Sequence, residues 1–180
     1  MVDWLQLLFE FVAVVVGVLL AFWIDRHREE QLNKTKVSEF LELIRDELRQ
    51  NAATLEGILK QLQDVSQFYL PYYRLRVFAW TSLSSRLTLL KNDGLRRDII
   101  ACYYRFDMYE RAMSRYLDLV YTIIKQPPNP YDKLENKASE VRNSIATQIQ
   151  HPKRGDEGML VFIPKVIQEI DDEIKRLQDC

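Results

Sequence analysis

From Phe11 to Ile24 the chain carries no polar side chain, and between Trp4 and Ile24 only Gln6 and Glu10 interrupt the apolar run. A helix of about 21 residues rising ~1.5 Å per residue spans about 30 Å, the thickness of a bilayer's hydrocarbon core. Trp4 and Trp23 lie ~28 Å apart on such a helix, so each indole can rest at one membrane interface. The competing reading is a cleaved signal peptide. That would need a basic leading region and a small-residue cleavage site. Met1-Val2-Asp3 carries no basic side chain, and Phe22-Trp23-Ile24-Asp25 follows the run. The sequence therefore predicts a retained single span.

Cations set its direction. Arg26, Arg28, Lys34 and Lys36 crowd the C-terminal flank, whereas the N-terminal flank offers only the free amine against Asp3. The positive-inside rule then places everything after the span in the cytoplasm, on the inner face of a cell's inner membrane. The expected division is residues 1–30 as span and basic collar, and residues 31–180 as a cytoplasmic helical domain.

The span has a distinct face. Asp3, Gln6, Glu10, Ala13, Gly17 and Ala21 follow at steps of three and four, and Ala13, Gly17 and Ala21 form a small-xxx-small ladder that lets helix backbones approach closely. Glu10 is costly against lipid, so it is expected to face a partner helix or a watery cavity. Alternatively it sits near enough to the headgroups to snorkel. The first reading predicts a homo-oligomer whose spans meet along Ala13, Gly17 and Ala21, with Gln6 and Glu10 turned inward.

Beyond the collar a heptad begins: Val37, Leu41, Ile44, Leu48, Asn51, Leu55, Ile58, Leu62 and Val65. Alternating steps of four and three mark one helix face. In a coiled coil, Asn51 would fix register between copies. In a monomeric bundle the stripe is a core face and Asn51 ends a helix or leans to the surface; Phe40, Leu43 and Leu59 widen the stripe and favour this version. After Pro71, Thr81 is expected to cap a short helix ending at Lys91-Asn92-Asp93-Gly94. A long helix with Ile99, Cys102, Phe106, Tyr109, Met113, Leu117, Val120 and Ile124 on one side should stop at Gln126-Pro127-Pro128-Asn129-Pro130. A polar helix over Tyr131–Gln150, a loop from His151 to Gly158 and a last helix over Ile163–Gln178 complete the reading, with Met159–Ile163 briefly extended as an option. The fold class is all-α: one N-terminal transmembrane helix followed by a helical bundle. With five glycines in 180 residues, the chain lacks the turn density of a β fold.

Chemistry-bearing motifs are scarce. A net charge of −1 gives no bulk attraction to nucleic acid. Two cysteines build neither a disulfide framework nor a metal cluster, and no nucleotide, zinc-protease or serine-hydrolase motif occurs. No cofactor or metal is expected. Tyrosines at 69–73, 103–104 and 109–121 alternate with Arg74, Arg76, Arg96, Arg97, Arg105, Arg111 and Arg115. Such interleaving can stack bases and hold phosphates. The favoured alternative is a bundle whose tyrosines point their hydroxyls to the rim while the arginines pair with Asp98, Asp107, Glu110 and Asp118.

In layout (one N-terminal span, a basic collar, about 150 helical residues), and at Arg142-Asn143 and His151, the chain resembles small membrane-anchored accessory proteins of type VI-B CRISPR systems, which carry a divergent HEPN domain. The resemblance implies a HEPN-like bundle, assembly in the membrane and a part in antiviral defence, plausible as a pore that disturbs the membrane. It also implies a functional link to an RNA-guided effector or its RNA products. In HEPN ribonucleases an arginine and a histidine from two protomers form a metal-independent RNA-cleaving site. Arg142, Asn143 and His151 are the matching candidates, at a wider gap than the family's. On one continuous helix, nine steps of about 100° put Arg142 and His151 on opposite sides, so they converge only if the helix ends before His151.

The leading expectation is a homo-oligomeric pore or channel-like assembly above a dimer, not an enzyme. The alternatives are a membrane-tethered scaffold or adaptor recruiting a protein partner, and a HEPN-type ribonuclease.

Overall fold

The computed structural model describes residues 4–63, 74–125, 131–150 and 157–179, with the side chains of 5–7 and 131–135 outside that description. Among the described residues the chain is all-helical, with no strand. The elements are α1 (Trp4–Gln63), α2 (Phe78–Leu83), a 3-10 turn (Ser84–Leu89), α3 (Asp93–Lys125), α4 (Tyr131–Gln150) and α5 (Met159–Gln178).

Helix α1 runs unbroken for 60 residues, about 90 Å. Its first buried side chain among the described residues is Val37. From there Phe40, Leu41, Ile44, Leu48, Asn51, Leu55, Ile58 and Leu62 are all buried. The heptad stripe is thus the core face of a bundle folded within one chain. Asn51 is only 1 % exposed and neither ends a helix nor leans outward. Its Nδ2 donates to the Arg76 carbonyl (2.7 Å) and its Oδ1 accepts from the Arg76 N–H (2.8 Å), so its hydrogen bonds are used inside the chain.

The irregular residues 74–77 and then α2 and the 3-10 turn bring the chain back along α1 toward its middle. Helix α3 runs parallel to α1: Tyr103 meets Glu47, and farther along Tyr116 feels Arg142, which bonds the end of α1. Helices α4 and α5 both return antiparallel, one after the other. Arg142 of α4 reaches the far end of α1, while Asp171 of α5 bonds Arg45 (3.2 Å) and Arg49 (3.1 Å). Ile145 and Ile149 of α4, and Ile163, Val166 and Ile170 of α5, close the core against Ile99, Cys102, Phe106, Tyr109 and Met113 of α3. The C-terminal end of α5 therefore lies beside the segment of α1 that leaves the apolar run.

Three local expectations change. Thr81 caps nothing: α2 already begins at Phe78, and the Thr81 hydroxyl donates to the Val77 and Phe78 carbonyls. Asn92-Asp93-Gly94 opens α3 instead of closing a helix. The Asn92 Oδ1 accepts the Leu95 N–H at 3.1 Å, an N-cap bond that satisfies one of the orphan donors of the first turn. Asn serves both helix ends, so the tripeptide alone does not decide which. Finally, Met159–Ile163 is helical and α5 begins a turn earlier than expected, at Met159 despite Pro164. Burial of Met159 and Ile163 outweighs the one backbone hydrogen bond that proline removes. Gly158 is required at that junction. A Cβ there would collide with the Gln150 carbonyl as α4 hands over to α5.

Candidate functional site

The N-terminal third of α1 is long and apolar enough to cross a membrane. Its best 18-residue window has no buried residue, so no other described residue covers it. Trp4 and Trp23 are 81 % and 66 % exposed, and Trp23 stacks on His27 with ring centroids 5.9 Å apart. Glu10, Ala13, Gly17 and Ala21 are all exposed. The backbone of Gln6 is helical; its side chain and Asp3 lie outside the described residues.

Helix geometry relates this face to the domain. From Gly17 to Ile44 is about seven and a half turns at ~100° per residue, which sets the small-residue ladder opposite the core stripe. Exposure farther along agrees: Thr35, Glu39, Glu42, Asp46, Ala53 and Gly57, in phase with Gly17, are all exposed, whereas the opposite side is buried. One edge of α1 thus stays uncovered from Glu10 to Gly57, and the bundle hangs from the other edge.

The HEPN-like candidates are not seen to converge. Arg142 donates through Nε to the Leu62 carbonyl (3.0 Å) and through Nη2 to the Gln61 carbonyl (3.2 Å), where α1 ends. A cation at a helix C-terminus meets carbonyls that lack intrahelical partners. Asn143 is exposed, and His151 lies outside the described residues.

The polar centre of the domain is elsewhere, and of its members only Asn51 stood out in the sequence, in a different role. Glu47, 7 % exposed, accepts the Tyr103 hydroxyl on Oε1 (2.5 Å) and the Ala79 N–H on Oε2 (2.8 Å). Burial, then the Glu47 hydrogen bond, hold the Tyr103 phenol well above its usual range. Trp80 stacks on Tyr103 at 4.6 Å between centroids. Glu110 accepts the Leu75 N–H at 2.7 Å. With Asn51, these side chains satisfy the backbone of the returning segment 75–79 at points where no helix or sheet could. The signal was present: Glu47 and Asn51 fall in the buried phase of α1, where a polar residue needs a partner.

Burial pushes the Cys102 thiol up to about 12, far from nucleophilic. No group of three or more metal-ligating side chains occurs among the described residues. The tyrosine and arginine interleaving is structural in part: Tyr104 and Tyr121 are exposed, and Tyr69, Tyr72 and Tyr73 lie outside the described residues, but three tyrosines sit in the core instead of at a rim. Tyr103, Tyr109 and Tyr116 are buried, Arg96 pairs with Asp93 and Arg111 with Asp107, and Arg105 covers the Phe162 ring at 4.1 Å.

Compared with protein-family models, curated proteins and solved structures, the chain matches none of them.

Proposed function

We propose that the protein is a single-pass membrane protein whose spans join copies of the chain, above a dimer, into a pore or channel-like assembly that disturbs the membrane, in keeping with the antiviral, CRISPR-linked setting its layout resembles. The observation that carries this reading is the opposition of faces on α1. Glu10, Ala13, Gly17 and Ala21 lie on the edge away from the bundle, so spans can approach along that edge while their domains splay outward. Small residues permit close backbone contact, and a carboxylate within the span is stabilised by a watery interior rather than by lipid. One span per copy cannot enclose water, which is why more than two copies are required. On this reading the positively charged collar keeps the domain cytoplasmic.

The test is assembly and leakage together. The detergent-solubilised protein should run well above a dimer, and cells expressing it should leak a small dye. Gly17→Leu should reduce assembly, and Glu10→Gln should reduce leakage. If neither variant changes either readout, the seam is misassigned.

A scaffold or adaptor is the second reading, favoured by Ile100, Tyr104 and Met108, which are exposed at four-residue steps on α3. It predicts a monomer or dimer without leakage. A ribonuclease is the weakest reading, because Arg142 already serves the end of α1.

A further inference from the structure

At the end of the bundle nearest the apolar run, a groove of about 470 Å³ opens between residues 30–37 of α1, residues 88–91 and the end of α5. That volume lies within the ~300–1,000 Å³ of pockets that hold small molecules. Val37, Leu89, Leu90 and Leu177 make its walls mainly apolar. Both acids of the lining are engaged. Glu173, only 5 % exposed, pairs with Arg176 at 2.5 Å, and Glu30 pairs with Arg26 at 3.6 Å. Lys91 and the half-buried Lys34 also line the groove, yet neither makes an ion pair or hydrogen bond with any described residue. A partly desolvated ammonium group gains from an anion brought beside it. The site is therefore an apolar trough with two uncommitted cations at its rim.

The position of the groove decides where its occupant comes from. With α1 crossing a membrane, Lys34 stands ~15 Å and Val37 ~20 Å beyond Ile24, past a headgroup layer ~5–8 Å deep. The apolar wall lies farther from the bilayer than Lys34, so a lipid anchored below would have its chains on the wrong side. A molecule arriving from water meets no such conflict. The two carboxylates already in the lining weigh against a doubly charged head group. We infer that this groove binds a soluble medium-chain carboxylate, with Lys34 and Lys91 holding the carboxylate and Val37, Leu89, Leu90 and Leu177 covering the alkyl chain. The inference is independent of pore formation.

The test is equilibrium dialysis of isotope-labelled octanoate against the full chain in nanodiscs of zwitterionic lipid, with empty nanodiscs subtracted. Octanoate should bind at one site per chain. Octylammonium, with the same chain and the opposite charge, should not displace it. A fully buried methylene is worth about fourfold in affinity, so even in an open groove octanoate should bind at least about tenfold more tightly than butanoate. An ion pair at a partly exposed site is worth up to about fivefold, so Lys34→Ala with Lys91→Ala should weaken octanoate about tenfold. Lys60→Ala with Lys137→Ala, which removes equal charge far from the groove, should change nothing. Circular dichroism of both variants checks that the helices persist, and the octylammonium and butanoate arms need no substitution at all. Equal loss in the two double variants, unchanged binding in the first, or displacement by octylammonium overturns the inference. So does equal affinity for butanoate and octanoate, which would make the groove a simple anion site.

Discussion

Helix α1 is one continuous element that solves two different problems. Between Leu8 and Ile24 its large apolar side chains are exposed; between Val37 and Leu62 a similar density of them is buried. The amino-terminal part has apolar residues nearly all round and a narrow edge of Ala, Gly and Glu. The later part keeps its apolar residues to one stripe and is charged elsewhere. An all-round apolar helix needs a solvent or partners on every side, whereas a striped helix needs them on one. The domain supplies the second need from within the chain, and no described residue supplies the first.

The contrast can be broken by matched substitutions. Phe40→Ala should cost the domain about 3–5 kcal/mol by opening a cavity, while Phe22→Ala should leave domain stability unchanged. Denaturant unfolding in detergent, followed by near-UV dichroism, measures both. Equal losses would mean that the first half of α1 packs on the domain after all. Next in size, Tyr103→Phe removes the donor to Glu47 Oε1 and leaves a buried carboxylate oxygen short of a partner, at about 2 kcal/mol in the same assay. A wild-type midpoint would show that water replaces the hydroxyl. The glycines then sharpen the comparison. Gly158→Ala must displace the Gln150 carbonyl and should cost about 1–2 kcal/mol, whereas a Cβ at Gly17 meets nothing within 4 Å and Gly17→Ala should leave the melting of the domain untouched.

The smallest effect is expected at Glu169. Partial burial, then repulsion from and hydrogen bonding with Asp98, raise its carboxyl above the usual range. A carboxyl raised in the fold favours the folded state below its unfolded value, and that advantage is lost as pH rises through the folded value. At neutral pH the charge opposes folding. Glu169 is exposed and solvent screens its repulsion from Asp98, so Glu169→Gln should stabilise only slightly, with the gain fading as pH falls below the ordinary carboxylate range. Melting temperatures at neutral and acid pH check this, and a gain that persists in acid would point to packing instead.

Periodicity made most of this fold readable. The stripe from Val37 to Leu62, most of the apolar side of α3 and the end of α3 at Lys125 rest on local rules, and the helices follow them; Leu43 and Ile124 fall outside those faces, exposed, and Ile123 takes the buried place expected of Ile124 because the 3.6-residue period drifts over a long helix. Boundaries were less legible. Asn92 is equally at home at either end of a helix, and Met159–Ile163 becomes helical only because α4 and α3 offer those side chains a core. The polar cluster at Glu47, Asn51, Tyr103 and Glu110 was hidden for another reason. Its members come from positions distant in sequence and meet only when the returning segment lies across α1 and α3. Of the residues proposed for function, the span edge was legible because it is local to one helix.

Between residues 4 and 63 α1 contains no proline, and its two glycines stand forty positions apart. Sharp bends in long helices arise at prolines, at glycine-serine pairs or where the hydrogen-bond ladder is invaded. The helix therefore behaves as a stiff axle with the bundle bolted to one end. Any torque applied to the bundle would rotate or tilt the far end as well, with no joint to absorb it.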